Sequence, residues 1–419
     1  MVAHRLWQMG YQVEWTRHEQ VQRIQDFTPP AGELRHLQGW AVEEMTKHHY
    51  GVLDIATRFG KSYTYAGWYV RMGRPMTLIL VPRAAIAQQM KTELEAWLGE
   101  PVGIVAGTVS SERVWQNITV AIDKSLCETG GMIRAEHVPY LHAVEARLLD
   151  ECHIGGDYAM TVQYATPNVI YSWAGSATPQ TEDELKNWYL LGWYGPTRVR
   201  VSSKMLADRG ILAHVDCAFH FHAHALYGEL EWTDLYKSAI VNNPQRNKLI
   251  ADIARLELDA GNQGLIFVNH VDQAHNIKAN LPEAVIVASK LLSQKQAEEI
   301  RGLFNSGQVR CVIVTKKWRE GVTVTADFGI NAEGGRAEHV VVQKLGRGLL
   351  PKASGAALRW HDIWDSGQKT IHRHARARRG TIEREEWPVV RYATLDEYRT
   401  KHVDLVRSAL IDIGEKFDG

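Results

Sequence analysis

Two kinds of hydrophobic run alternate along most of this chain. Short, mainly apolar stretches at 51–55, 76–81, 101–106, 117–123, 146–150 and 169–174 predict buried strands, since a strand covered on both faces shows little polar surface. Between them lie segments with apolar residues three and four apart. One opens at Glu33-Leu34-Arg35 and runs through Ala41, Val42 and Met45, and another spans 84–97, which is the spacing of an amphipathic helix. The rhythm fades over 180–240 and restarts after Asn243-Pro244. There a helix at 246–258, a strand at 264–268, a helix at 271–281, a strand at 284–288, a helix at 294–304 and strands at 309–315 and 340–342 are predicted. Strand–helix alternation of this kind builds a mainly parallel sheet covered by helices, so the pattern predicts two α/β domains in tandem.

The expected boundaries follow. Residues 1–33, ending after Pro29-Pro30, form a small appendage punctuated by the proline pair. Residues 34–195 form the first domain, 196–244 a connecting segment, 245–385 the second domain and 386–419 a helical tail. The 419 residues are 45% hydrophobic and 23% charged, with formal net charge +0. A neutral chain has no global field for a polyanion, but local grooves, backbone N–H groups and helix N-termini can still bind one. Cys127, Cys152, Cys217 and Cys311 lack metal-ligand spacing, which fits a reducing compartment and argues against a disulfide framework or a zinc site. No apolar span of about 20 residues is present to cross a bilayer, and no signal pattern opens the chain, so a cytoplasmic location is expected.

The chemistry concentrates at strand ends. The first strand runs into Ala56-Thr57-Arg58-Phe59-Gly60-Lys61-Ser62, which on its own reads equally as a plain strand–turn–helix or as a phosphate-cradling loop with Ala in place of the usual first Gly. In such a loop backbone N–H groups and the following helix N-terminus wrap phosphates, Lys61 reaches the β/γ oxygens and the Ser62 hydroxyl holds Mg²⁺. The strand at 146–150 delivers Asp150 and Glu151, followed by Cys152 and His153, to the edge where parallel sheets bind ligands. Asp150 would bind Mg²⁺ through water and Glu151 would orient and deprotonate the attacking water. For Asp-Glu alone an acidic helix cap is the preferred explanation, but the two stretches in this order point to nucleotide hydrolysis.

Other strand ends carry softer signals. Ser176 and Thr178 stand where they can hydrogen-bond His153 or the carboxylates. Gln38 either faces solvent or, with Arg35, reads an adenine edge. Arg83 either contacts a nucleic-acid phosphate or is solvated. The alternating His220, His222 and His224 lie on one face of a strand, either near a metal or, as the commoner case, on a half-exposed edge strand. Lys369, Arg373, Arg376, Arg378, Arg379 and Arg384 mark a basic helix over 366–384, either tracking phosphates or packing on the second domain.

Taken in order, these stretches resemble the superfamily 2 helicases, in which two RecA-like domains bind ATP in the cleft between them. Leu34-Arg35-x-x-Gln38 resembles their adenine-reading element, residues 56–62 motif I, Val81-Pro82-Arg83 motif Ia, and Asp150-Glu151-Cys152-His153 a DEAH-type motif II. Ser176-Ala177-Thr178 resembles motif III, residues 266–270 motif IV, Thr315 with Glu320-Gly321 motif V, and Gln343-x-x-Gly346-Arg347 motif VI. The approach Asn242-Asn243-Pro244-Gln245-Arg246-Asn247 and the segment His361-Asp362-Ile363-Trp364-Asp365 look closest to UvsW-type phage helicases and type III restriction motors.

The resemblance implies an ATP- and Mg²⁺-dependent nucleic-acid motor, with DNA favoured over RNA. Arg35, Gln38, residues 57–62, Asp150, Glu320 and Gly321 would hold nucleotide. Lys61, Glu151, Gln343 and Arg347 would carry catalysis, with Arg347 as the arginine finger. His153, Ser176 and Thr178 would couple hydrolysis to motion, and Arg83, Lys124, Asn269 and Thr315 would grip the polymer. Departures from the family are Arg58 and Phe59 in the phosphate loop, Thr323 where motif V often has Asp, and Leu350 where motif VI often has a second Arg, with Lys352 nearby. Two other readings accompany this one. They are an RNA helicase or a duplex translocase that anneals without unwinding, and an ATP-controlled nucleic-acid clamp with minimal hydrolysis.

Overall fold

The computed structural model describes residues 33–107, 113–154, 157–181, 183–225, 230–288, 291–315, 326–335 and 356–401. They fall into two compact units. One runs up to Asp54 and from Gly60–Arg200, and the other takes Ile55–Phe59 and the described residues from Val201 onward.

The first unit is built on β1 (Tyr50–Ile55), β2 (Thr77–Val81), β3 (Gly103–Val105), β4 (Arg113–Val114), β5 (Ile118–Ile122), β6 (Ala146–Asp150), β7 (Tyr171–Ser176) and β8 (Thr197–Val201). They form an eight-stranded sheet in the order β4-β3-β5-β2-β6-β7-β1-β8. Every pairing from β3 through β1 is parallel, and the short β4 runs antiparallel to β3. Every residue of β2, β6 and β7 is buried, which is why these strands read as mainly apolar; the buried Arg147 of β6 donates to Thr166 Oγ1 at 2.6 Å and Ser172 Oγ at 3.0 Å. Leu78, Leu80, Val105, Ala121, Leu149 and Ala174 pack one core on this sheet. Parallel register aligns the C-terminal ends of three strands, with Asp150 opposite Gly175 and Ser176 opposite Asp54.

The second unit is built on β9 (Val215–Ala223), β10 (Gly264–Phe267), β11 (Val285–Val287), β12 (Cys311–Val314), β13 (Phe328–Asn331), β14 (Leu358–Ser366) and β15 (Val389–Tyr392). Their order is β11-β12-β10-β13-β14-β9-β15, and all pairings are parallel. Helices Pro244–Asp259 and Val271–Lys278 supply Ile250, Ile253, Ala254, Ala274 and Ile277 to a core with Ile266, Ile313 and Ile330. Two mainly parallel sheets with helical crossovers are the tandem RecA-like fold expected from the alternation.

Residues 196–244, expected as a connecting segment, supply β8 to the first sheet and β9 to the second. The tail expected as helical opens with β15. The explanation of the histidines by an edge strand is corrected, because β9 lies inside the sheet between β14 and β15. His220 and His224 are buried, and their partners are His361 at 2.9 Å and Asp365 at 2.8 Å. Among the described residues no cluster of His, Cys, Asp or Glu is arranged to hold a metal. The basic helix forms as Lys369–Arg384, but not as a uniform polyanion track. Arg378 is 1% exposed and donates to Asp362 at 2.9 Å, while Arg379 pairs with Glu383. Among the described residues no helix is long and apolar enough to cross a membrane. All four cysteines are unbridged and buried.

Candidate active site

The strand-to-loop-to-helix turn after β1 is tight. Arg58 has φ 67° and Gly60 φ 92°, and helix Lys61–Arg71 starts at Lys61, so the helix N-terminus and its dipole open at the loop. Within the loop Phe59 is buried, while the Arg58 guanidinium is pulled below its ordinary pKa by burial. The Thr57 hydroxyl is buried and has no hydrogen-bond partner among the described residues, a polar atom whose cost a bound polar ligand would offset. Behind the loop lies Gln38, on helix His36–Lys47. Its Nε2 donates to the Gly60 carbonyl at 3.4 Å and its Oε1 accepts from the Arg35 backbone N–H at 2.9 Å. The proposed adenine-reading pair thus sits at the loop, with Gln38 buried and Arg35 exposed.

Lys61 is the electrostatic centre. Its Nζ lies 2.7 Å from Asp150 Oδ1 and 2.6 Å from Glu151 Oε1. Burial opposes its charge, but the two carboxylates outweigh that and hold the ammonium above the ordinary lysine pKa. The carboxylates part company. Burial, with Glu151 beside it, raises Asp150 to about 6 against the pull of Lys61. Glu151 is half-buried, which opposes its charge, but Lys61, His153 and Arg83 draw it below the ordinary range. Glu151 is therefore ionised at neutral pH, as a proton acceptor must be. It has φ 52°, a left-handed conformation uncommon for a residue with a side chain.

Next to Glu151, His153 Nδ1 lies 2.8 Å from Ser176 Oγ and 3.4 Å from Glu151 Oε2, and Ser176 Oγ accepts from the Thr178 N–H at 3.0 Å. The structure therefore brings Lys61, Asp150, Glu151, His153, Ser176 and Thr178 into one connected set. The exposed Arg83 caps helix Ala84–Leu98 at the end of β2, and the exposed Lys124 lies 5.8 Å from the Tyr158 ring beyond β5. In the second unit Asn269 follows β10 and the buried Thr315 follows β12, neighbouring strands with aligned ends. Glu320, Gly321, Thr323, Gln343, Arg347, Leu350 and Lys352 lie outside the described residues.

Sequence reading missed Tyr65. It is fully buried, and its hydroxyl donates to Asp150 Oδ1 at 3.5 Å. The available signal was spacing, since Tyr65 stands four residues after Lys61 and so shares its helix face. The donor set fits a magnesium nucleotide. Asp150 already holds a cation, the Lys61 ammonium, the Ser62 hydroxyl follows directly, and oxygen ligands suit a hard divalent ion.

Residues 245–349 match the family model described as Helicase conserved C-terminal domain. No curated protein matches the sequence. Among solved structures, the ATP-dependent Type ISP restriction-modification enzyme LlaBIII bound to DNA shares 13% identity at a TM-score of 0.57, covering 88% of this chain but 32% of its own. S. cerevisiae Dbp5 bound to RNA and ADP BeF3 shares 12% identity at a TM-score of 0.53, covering 91% of this chain and 94% of that one. T4 UvsW shares 14% identity over 94% of this chain and 86% of its own, at a TM-score of 0.37. The chain thus carries a helicase C-terminal domain over 245–349 and shares with these structures the fold of two tandem RecA-like sheets.

Proposed function

We propose that the chain is an ATP-driven nucleic-acid helicase or translocase acting on DNA, with Lys61, Ser62, Asp150 and Glu151 as its hydrolytic centre. The observation that carries this reading is the Lys61 ammonium held between the Asp150 and Glu151 carboxylates at 2.7 and 2.6 Å, at the mouth of a phosphate-type loop. A lysine so placed exchanges its carboxylate partners for the β/γ oxygens of a nucleotide, because both are anionic acceptors of the same geometry. That exchange releases Glu151 to take a proton from the attacking water. Ser62 and Asp150 would hold Mg²⁺, which when bound neutralises charge on the phosphate oxygens. The Thr57 hydroxyl and the loop N–H groups add donors to the phosphates.

Gln343 and Arg347 complete the set in this reading. A finger arginine contributes roughly 10³–10⁵ in rate. The chain His153, Ser176, Thr178 links the base to the end of β7 and carries the state of the phosphate into the fold. Arg83, Lys124, Asn269 and Thr315 hold the polymer backbone. The preference for DNA rests on the likeness to phage and restriction motors.

Glu151→Gln tests the reading. The variant keeps nucleotide affinity and loses about 10²–10⁴ in turnover, the usual weight of a general base. Undiminished hydrolysis would remove Glu151 from that role.

A further inference from the structure

The loop 332–335 after β13 is held by side chains from four separate stretches. Arg246 Nη1 and Gln273 Nε2 donate to the Ala332 carbonyl at 2.8 and 2.9 Å. The Tyr236 hydroxyl donates to the Glu333 carbonyl at 2.6 Å, and Arg378 Nη1 to the Gly335 carbonyl at 3.0 Å. Arg246, Gln273 and Arg378 are at most 1% exposed, and the two guanidiniums are neutralised by Asp365 and Asp362. Buried ion pairs gain little net stability over apolar packing. Their use here is to fix one backbone position. The loop hands the chain directly to 336–350, the stretch that carries Gln343 and Arg347.

Tyr236 has a second bond. Its oxygen accepts from Asn269 Nδ2 at 3.3 Å, so one hydroxyl joins the end of β10 to the loop after β13. Tyr236 closes helix Trp232–Tyr236, where the chain passes into a π-helical turn, Lys237–Val241, a rare conformation that is frequent at functional sites. That turn lies against the loop, since a Cβ on Gly334 would sit 2.8 Å from Ile240 Cδ1. Hydrogen bonds in series polarise one another. The amide of Asn269 therefore strengthens the Tyr236 donation to Glu333, and a change at Asn269 weakens or strengthens the hold on the loop.

We infer that Tyr236 is a positioning residue that couples polymer contact at Asn269 to the loop 332–335, and through it to nucleotide hydrolysis. The inference rests on the proposed motor function. Its test is the ratio of nucleic-acid-stimulated to basal ATPase in the wild type, Tyr236→Phe, Asn269→Ala and the double variant. Fluorescent-nucleotide affinity and single-stranded DNA affinity are measured on each.

The expected result is a stimulation ratio about 5- to 10-fold lower in Tyr236→Phe, with nucleotide and DNA affinities within about 2-fold of wild type, and no further loss of the ratio on adding Asn269→Ala. A merely structural tyrosine would lower the affinities along with the ratio. A wild-type ratio in Tyr236→Phe, losses that multiply in the double variant, or affinities that fall in step with the ratio would overturn the inference. A wild type that neither DNA nor RNA stimulates would instead overturn the motor reading, and this inference with it.

Discussion

The fit between Gly175 and Tyr65 gives a sharp test of how Asp150 is held. A Cβ at Gly175 would lie 2.3 Å from the Tyr65 hydroxyl oxygen, whereas ordinary contact begins at 3.4 Å, so Gly175→Ala forces the ring back by about 1 Å. The hydroxyl has nowhere easy to go, because Tyr65 is fully buried beneath Asp150. Overpacking of this kind costs about 1–3 kcal/mol, and the hydrogen bond to Asp150 is lost with it. Removing the hydroxyl restores the space, since the next contacts, Tyr65 Cζ and Lys61 Cδ, are each at 3.5 Å. In a Tyr65→Phe background Gly175→Ala is therefore expected to cost less than about 0.5 kcal/mol, a coupling of roughly 1–3 kcal/mol between the two sites. Urea unfolding of the four proteins measures this, with magnesium-dependent ADP binding as a second readout that both single variants weaken. An equal cost of Gly175→Ala in both backgrounds would refute the packing argument.

Three further outcomes are expected. Burial would raise Glu257, but His361, Arg359 and Tyr398 hold it at about 2 against an ordinary 4.5. This gap, at about 1.4 kcal/mol per pH unit, makes roughly 3 kcal/mol of stability that is present above pH 4.5 and lost as pH falls toward 2. The stability difference between wild type and Glu257→Gln should narrow across that window, and a constant difference by acid titration of unfolding contradicts the assignment. Arg246→Met breaks a fully buried pair with Asp365 and is expected to cost about 3–5 kcal/mol, read by denaturant midpoint; a change under about 1 kcal/mol rejects the anchoring role. Replacing the exposed Arg373 and Arg376 with Gln should reduce the slope of log affinity for DNA against log salt by about 1 to 2 if that face meets phosphates, while an unchanged slope assigns the helix to packing alone.

Much of the fold was legible because its strands are buried on both faces. Strands β2, β5, β6, β10 and β12 announce themselves as apolar runs, and the helices between them keep a regular spacing. The candidate site was legible for a related reason, since each chemical residue stands where an apolar run stops, at Lys61, Asp150, Ser176, Asn269 and Thr315. β14 was not legible as a strand. Its sequence Leu358-Arg-Trp-His-Asp-Ile-Trp-Asp-Ser366 is polar at alternate and adjacent positions, yet His361, Asp362 and Asp365 are fully buried. Glu257, Arg378, Asn331, Arg246 and His224 supply their hydrogen-bond and ion-pair partners from elsewhere in the chain. Those partners are distant in sequence, and no local pattern reveals a charge whose counterion is tertiary. β9 hid for the same reason, because its buried His220 and His224 are paired with His361 and Asp365 of β14. Tyr65 and Tyr236 were missed because a buried tyrosine in a helix has the same spacing as core, and only the position of its hydroxyl distinguishes it.

The most direct test of the central claim is steady-state ATP hydrolysis by the wild type and Lys61→Ala, each without polymer and with single-stranded DNA, branched DNA and RNA. Lys61-dependent hydrolysis that DNA stimulates, most strongly when branched, is the expected result. Hydrolysis equal in Lys61→Ala, or indifferent to every polymer, would contradict it.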